Sequence, residues 1–137
     1  MNKYEFEIVN FGDGYWHEST LATMSGLPFA EVHAAVKATG RDRWGGQLYV
    51  ITFQSLGFNT NPRFVKFDPS TSLPCILRCR NHVKGYWYVF YYNAGVVYDC
   101  VGNSFLLNDH GEVTLRNGSY FLKCYGMKVT SMLQVWV

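Results

Sequence analysis

The sequence predicts an α+β fold, with N-terminal helices packed on one side of a C-terminal antiparallel sheet. Two observations carry this prediction. Apolar residues recur at helical spacing only in about residues 15–57, and from about residue 73 to 137 the pattern is that of strands and hairpin turns. Helices first and strands afterwards favour segregated layers over alternating β-α-β units. A third observation concerns organisation. No repeat, low-complexity tract or linker interrupts the 137 residues, so residues 1–137 are expected to form a single domain.

Tyr4 to Val9 alternates well enough for a short strand. Asn10 to Gly14 holds two glycines and two Asx residues and predicts a loop. A helix begins near Tyr15, with Leu21, Met24 and Leu27 at helical spacing, and Gly26 stops it. Pro28 suits the first turn of a second helix. Phe29, Val32, Ala35 and Val36 form its apolar stripe, and Thr39-Gly40 closes it. After a connector from Arg41 to Gly46, a third helix is predicted over Gln47–Leu56. Leu48, Ile51 and Leu56 are expected inward, with Gly57 as a left-handed stop. β-Branched Val50, Ile51 and Thr52 leave a strand open as the alternative.

Arg63 to Phe67 reads as a short strand and Asp68 to Ser72 as a loop. In the strand Pro74–Arg80, Cys75, Leu77 and Cys79 share one face, and Ile76, Arg78 and Arg80 share the other. Gly85 to Cys100 is the centre of the sheet: an aromatic and β-branched run around an Asn93-Ala94-Gly95 turn. A lone hairpin is not stable in water, so the flanking segments must cover it. Ser104–Leu107, Val113–Leu115, Tyr120–Tyr125 and Lys128–Val137 supply further strands, with Asn117-Gly118 as the strongest hairpin signal.

Composition excludes several classes. Hydrophobic residues make up 48% and aromatics 18%, enough for a core, while 16% charged residues argue against disorder. A formal charge of +2 argues against a dedicated nucleic-acid binder. No apolar run approaches the roughly 20 residues of a membrane span, and the N-terminus lacks the apolar segment of a signal peptide. A cytoplasmic, reducing location is therefore expected. Cys75, Cys79, Cys100 and Cys124 are then expected to be packed thiols. Their spacing forms no paired zinc knuckle, and neither a metal nor a cofactor is expected.

Isolated residues carry weaker signals, each with a structural alternative. His17 would form an Asp-His pair with Asp99, or would be a partly exposed residue at a helix start. His33, beside the second helix's stripe, reads as surface. His82 and His110 fall in a loop and a turn. Cys75, Cys79 and Cys100 could supply a nucleophile from the sheet if one of the thiols is reactive, with Cys100 or Cys75 the leading candidates; packing is the alternative. Arg78, Arg80 and Lys84, with Trp44, Tyr86 and Trp87, would grip single-stranded nucleic acid, or they form an ordinary solvated strand face.

The run Trp16 to Val32 (Trp-His-Glu-Ser-Thr-Leu-Ala-Thr-Met-Ser-Gly-Leu-Pro-Phe-Ala-Glu-Val), with Gln47 to Phe58, Leu73 to Leu77 and Gly85 to Asp99, resembles one family. These segments are similar in order and in short words to small papain-like cysteine peptidases. The bacteriocin-leader (double-glycine leader) peptidase domains and related small phage proteins have a similar layout at about this chain length. The resemblance spans roughly Val9 to Gly102. It implies a papain-like layout in which Trp16 stands in place of the nucleophilic cysteine and Tyr86 in place of the histidine. Asp99 matches the orienting acid, and Asn10 stands in place of the oxyanion glutamine.

An indole cannot replace a thiolate, and a phenol with a pKa of about 10 is a poor base at neutral pH. The resemblance therefore implies a catalytically inactive module that binds a protein or peptide through Trp16, Tyr86, Trp87 and Trp44. A phage protein that modulates or inhibits a host protein is the extension by analogy. The alternatives are a cysteine hydrolase with a displaced nucleophile, Cys100 or Cys75, and a single-stranded nucleic-acid binder.

Overall fold

In a computed structural model of the protein, the described residues are 16–41, 45–81, 85–93, 96–98, 104–107, 113–117 and 127–137. Side chains are described within 17–41, 45–79 and 128–137. The expected strands Tyr4–Val9 and Tyr120–Tyr125 lie outside them, as do Asn10, Trp44, Asp99 and Cys100. Among the described residues the fold is mixed α+β, with three helices and an antiparallel sheet.

Helix α1 spans Trp16–Ser25. Gly26 (φ 71°) ends it in the left-handed conformation, and its N–H donates to the Ala22 carbonyl at 2.8 Å. Leu21 and Met24 are buried, as their spacing predicts. So are Glu18, Ser19, Thr20, Ala22 and Thr23, so α1 is covered on every side between residues 18 and 24. The cover comes from α2, α3 and a central strand packed against it.

Helix α2 (Phe29–Ala38) follows with Pro28 as its N-cap at φ −62°, one residue outside the expected first turn. Val32 is fully buried, while the rest of its stripe is half-covered. Helix α3 (Gly46–Ser55) buries Leu48 as expected and corrects the rest of the inward set. Tyr49 and Phe53, one helical turn apart, are the largest fully buried side chains among the described residues and lie with Val50 in the core. Ile51 and Leu56 are only half-buried. Because α3 packs against α2, α1 and the first strand together, its buried arc is wider than one stripe. The strand alternative for Val50–Thr52 is thereby set aside.

Gly57 (φ 94°) caps α3 as expected. The Phe58 N–H donates to the Phe53 carbonyl at 3.0 Å and the Gly57 N–H to Gln54 at 3.1 Å. The Phe53 and Phe58 rings meet edge to face at 6.0 Å, the hydrophobic contact that accompanies this kind of cap.

The strands are β1 (Asn59–Thr60), β2 (Val65–Lys66), β3 (Cys75–Asn81), β4 (Gly85–Asn93), β5 (Val96–Tyr98), β6 (Ser104–Leu107), β7 (Val113–Asn117) and β8 (Met127–Trp136). Their order is β1-β8-β3-β4-β5-β6-β7, with β2 also paired to β8. β1 has no counterpart in the sequence reading, and the expected strand Arg63–Phe67 shrinks to two residues. Between β1 and β2, Asn61 continues the edge with its side chain. Its Oδ1 accepts from the Gln134 N–H at 2.7 Å, and its Nδ2 donates to Gln134 Oε1 at 3.1 Å.

Register places Ile76 opposite Leu133, and both join the core cluster of helix residues Leu21, Val32, Tyr49, Val50 and Phe53. The helices therefore cover the face of β3 and β8 that carries Ile76, Leu133 and Val135. Cys75, Leu77, Cys79, Val129 and Met132 occupy the other face and are buried as well. β7 approaches β8 although the two are far apart along the strand order, so the sheet curls over this second face. Bulges accompany the curl. Opposite Arg78, β4 uses two residues, 88 and 89, and β8 inserts Thr130 between its partners of Arg78 and Cys79. A bulge bends its strand and increases twist.

Candidate functional site

Trp16 is the first residue of α1, the position at which the expected site begins. His17, next along the helix, is half-buried, in keeping with the expected partly exposed residue at a helix start. Its Nδ1 hydrogen-bonds with the Tyr49 hydroxyl from α3, and the two rings stand edge to face at 5.6 Å and 65°. Desolvation lowers the His17 pKa to about 4, so the imidazole is neutral at physiological pH. A neutral ring bonded to a phenol is neither an imidazolium partner for a thiolate nor an exposed base.

Glu18 follows in the first turn, where a carboxylate suits the helix dipole. Its Oε2 lies 2.8 Å from Nδ1 of His33 on α2. The carboxylate is almost covered, at 8% side-chain exposure, whereas the imidazole is 36% exposed and stacks on Phe29 at 5.1 Å. His33, expected as a plain surface residue, thus ties α2 to α1. Sequence spacing carries no signal for this pair, since its members sit on different helices.

The remaining expected residues are reached through β4. Tyr86 is registered with Arg80 and Trp87 with Cys79. Since α1 packs against β4, Trp16 and the strand that carries Tyr86 belong to neighbouring elements. Tyr98, which precedes Asp99, pairs with Tyr91, five positions along β4 from Tyr86. Five residues of strand are roughly 17 Å. The described residues thus set α1 beside β4 without bringing position 86 close to the end of β5.

The candidate thiol Cys75 is fully buried in β3 and presents no surface to a substrate, which removes it as an accessible nucleophile. Cys79 is also fully buried, and desolvation pushes its pKa far above the usual thiol range. Thiolate chemistry is suppressed at such a position. Replacing Cys79 by serine is expected to cost about 1–3 kcal/mol, because a hydroxyl enters an apolar site. Urea unfolding of Cys79→Ser beside Cys79→Ala checks this, and equal midpoints for the two would contradict it. Among the described residues no group of three His, Cys, Asp or Glu stands close enough to hold a metal ion. No described helix is long and apolar enough to cross a membrane.

No family model, curated protein or solved structure matches the chain.

Proposed function

We propose that the chain is a catalytically inactive binding module of papain-like layout that engages a protein or peptide partner. One observation carries the proposal: the helix start at which such a peptidase holds its thiolate is occupied here by Trp16 and by His17, whose half-buried ring is kept neutral by desolvation. The burial of Cys75 and Cys79 adds support, since neither sulfur is open to a substrate. The aromatic residues Trp16, Tyr86 and Trp87, with Trp44, are the proposed anchors. Large rings at an interface concentrate binding energy. The likeness to small phage proteins extends the proposal to a host protein that is modulated or inhibited.

Capture from host lysate on immobilised protein tests the reading. Trp16→Ala and Trp87→Ala are each expected to weaken capture by an amount on the order of 2 kcal/mol, roughly thirtyfold. Their melting temperatures should stay within a few degrees of the parent protein. Early melting with unchanged affinity in both variants would make the rings structural. Hydrolysis of a peptide substrate by the parent protein, abolished in Cys100→Ala, would restore the hydrolase alternative.

A further inference from the structure

Two consecutive side chains tie the first turn of α1 to both other helices. His17 hydrogen-bonds through Nδ1 with the Tyr49 hydroxyl of α3, and the two rings meet edge to face. Glu18 bonds through Oε2 with Nδ1 of His33 on α2 at 2.8 Å. Acid acts on these ties in opposite directions. An imidazolium at His33 would hold the Glu18 carboxylate more strongly, because the hydrogen bond becomes charge-assisted. At His17 the partner is a phenol and the ring is desolvated, so its charged form is favoured only once the ring returns to water. α1 packs against α2, α3 and β4. Neither α3 nor β4 contains Asp, Glu, His, Lys or Arg, and their tyrosine phenols keep their protons in acid. α2 adds Glu31 and Lys37 to His33, and both are exposed. Every residue from Glu18 to Met24 is buried, whereas His17 is only half-buried, so the helix is loosest at its start.

We infer that the His17–Tyr49 contact is an acid-released latch on residues 16 and 17, and that its release switches off partner binding through Trp16. The second half rests on the binding-module reading; the first stands on the helix contacts alone. Above pH 6.5 the ring is neutral whether seated or released, and the latch is closed. Below it the released ring binds a proton that the seated ring takes up only near pH 4. The released form therefore gains weight through that window, about twentyfold between pH 7 and pH 5. Glu18, held by His33, confines release to the residues before it, and Leu21 stays in the core. Trp16 is the first residue of the helix, so the released stretch carries the proposed anchor.

Amide hydrogen exchange on the full chain, read by NMR, tests the latch. Helical bonding pairs the N–H groups of Thr20 and Leu21 with the carbonyls of Trp16 and His17, and that of Ala22 with Glu18. After correction for the pH dependence of exchange in an unstructured chain, the opening constant at Thr20 and Leu21 should rise about twentyfold from pH 7 to pH 5. Low urea should leave it unchanged, because a local opening exposes little surface. His17→Gln should abolish the rise. Where that variant fails to fold, Tyr49→Phe decides: with the hydroxyl gone, the two amides should open roughly fivefold more readily already at pH 7. An opening constant indifferent to pH, a rise that survives in His17→Gln, or exchange that quickens with urea in step with the Phe53 amide overturns the latch. So does a Tyr49→Phe protein that opens like the parent. Capture from lysate at pH 7 and pH 5 tests the consequence, and it should fall at pH 5 in the parent protein but not in His17→Gln. Loss of capture in Trp16→Ala with full parent capture at pH 5 rejects the switch and leaves the binding module standing. Full capture in Trp16→Ala removes the reading beneath it instead.

Discussion

Phe53→Ala is expected to lower stability by about 3–5 kcal/mol, the usual cost of emptying a fully buried aromatic site. Phe53 is wholly inaccessible and sits where all three helices meet the Ile76–Leu133 row of the sheet. Its ring also closes the end of α3 against Phe58, so truncation removes core volume and the cap contact together. A domain of this size has about 5–15 kcal/mol in all, and the melting temperature should fall by on the order of 10–20 °C. Ile51→Ala in the same helix is the control. Ile51 is half-buried, so its truncation should cost less than half as much. Equal costs at the two positions would mean that α3 turns its Ile51 face inward, as the sequence pattern suggests.

The second large effect is a loss of stability in mild acid, traced to His17. The folded-state pKa is lowered from 6.5 to about 4 by burial, so the unfolded chain binds the proton first as pH falls. Above pH 6.5 both states are neutral and this residue adds no pH dependence. Between 6.5 and about 4 the unfolded state holds more protons, so stability drops with falling pH; below that window the loss is complete. Its size is on the order of 2–3 kcal/mol. His17→Gln keeps a hydrogen-bonding side chain beside Tyr49 and cannot titrate. It should start less stable at neutral pH, and its decline between pH 6.5 and 4 should be shallower than that of the parent protein. Denaturant unfolding at several pH values measures the difference. Parallel curves for the two proteins would show that His17 takes up its proton in the fold as readily as in the unfolded chain.

The local events were legible in the sequence because local chemistry causes them. Gly26 and Gly57 stop their helices since only glycine takes positive φ at no steric cost, and Thr39-Gly40 marks the end of α2 for the same reason. Alternation from Cys75 to Arg80 and the aromatic run from Gly85 announced the paired strands β3 and β4, which the register confirms. Order along the chain, helices then strands, was enough to predict an α+β fold.

The tertiary structure decided everything that depends on what covers what. A single apolar stripe was expected for α3, but burial on several sides brought Tyr49 and Phe53 inward and left Ile51 half-covered. Two faces of β3 are buried because the sheet curls, and curl comes from bulges whose register no pattern of hydrophobicity encodes. The same holds for the candidate site. Trp16 at a helix start could be read in advance. The neutral state of His17, the Glu18–His33 bridge and the sealed thiols of Cys75 and Cys79 could not. Each arises where side chains distant in sequence exclude water from one another, and desolvation is a property of the packed molecule, not of any residue taken alone.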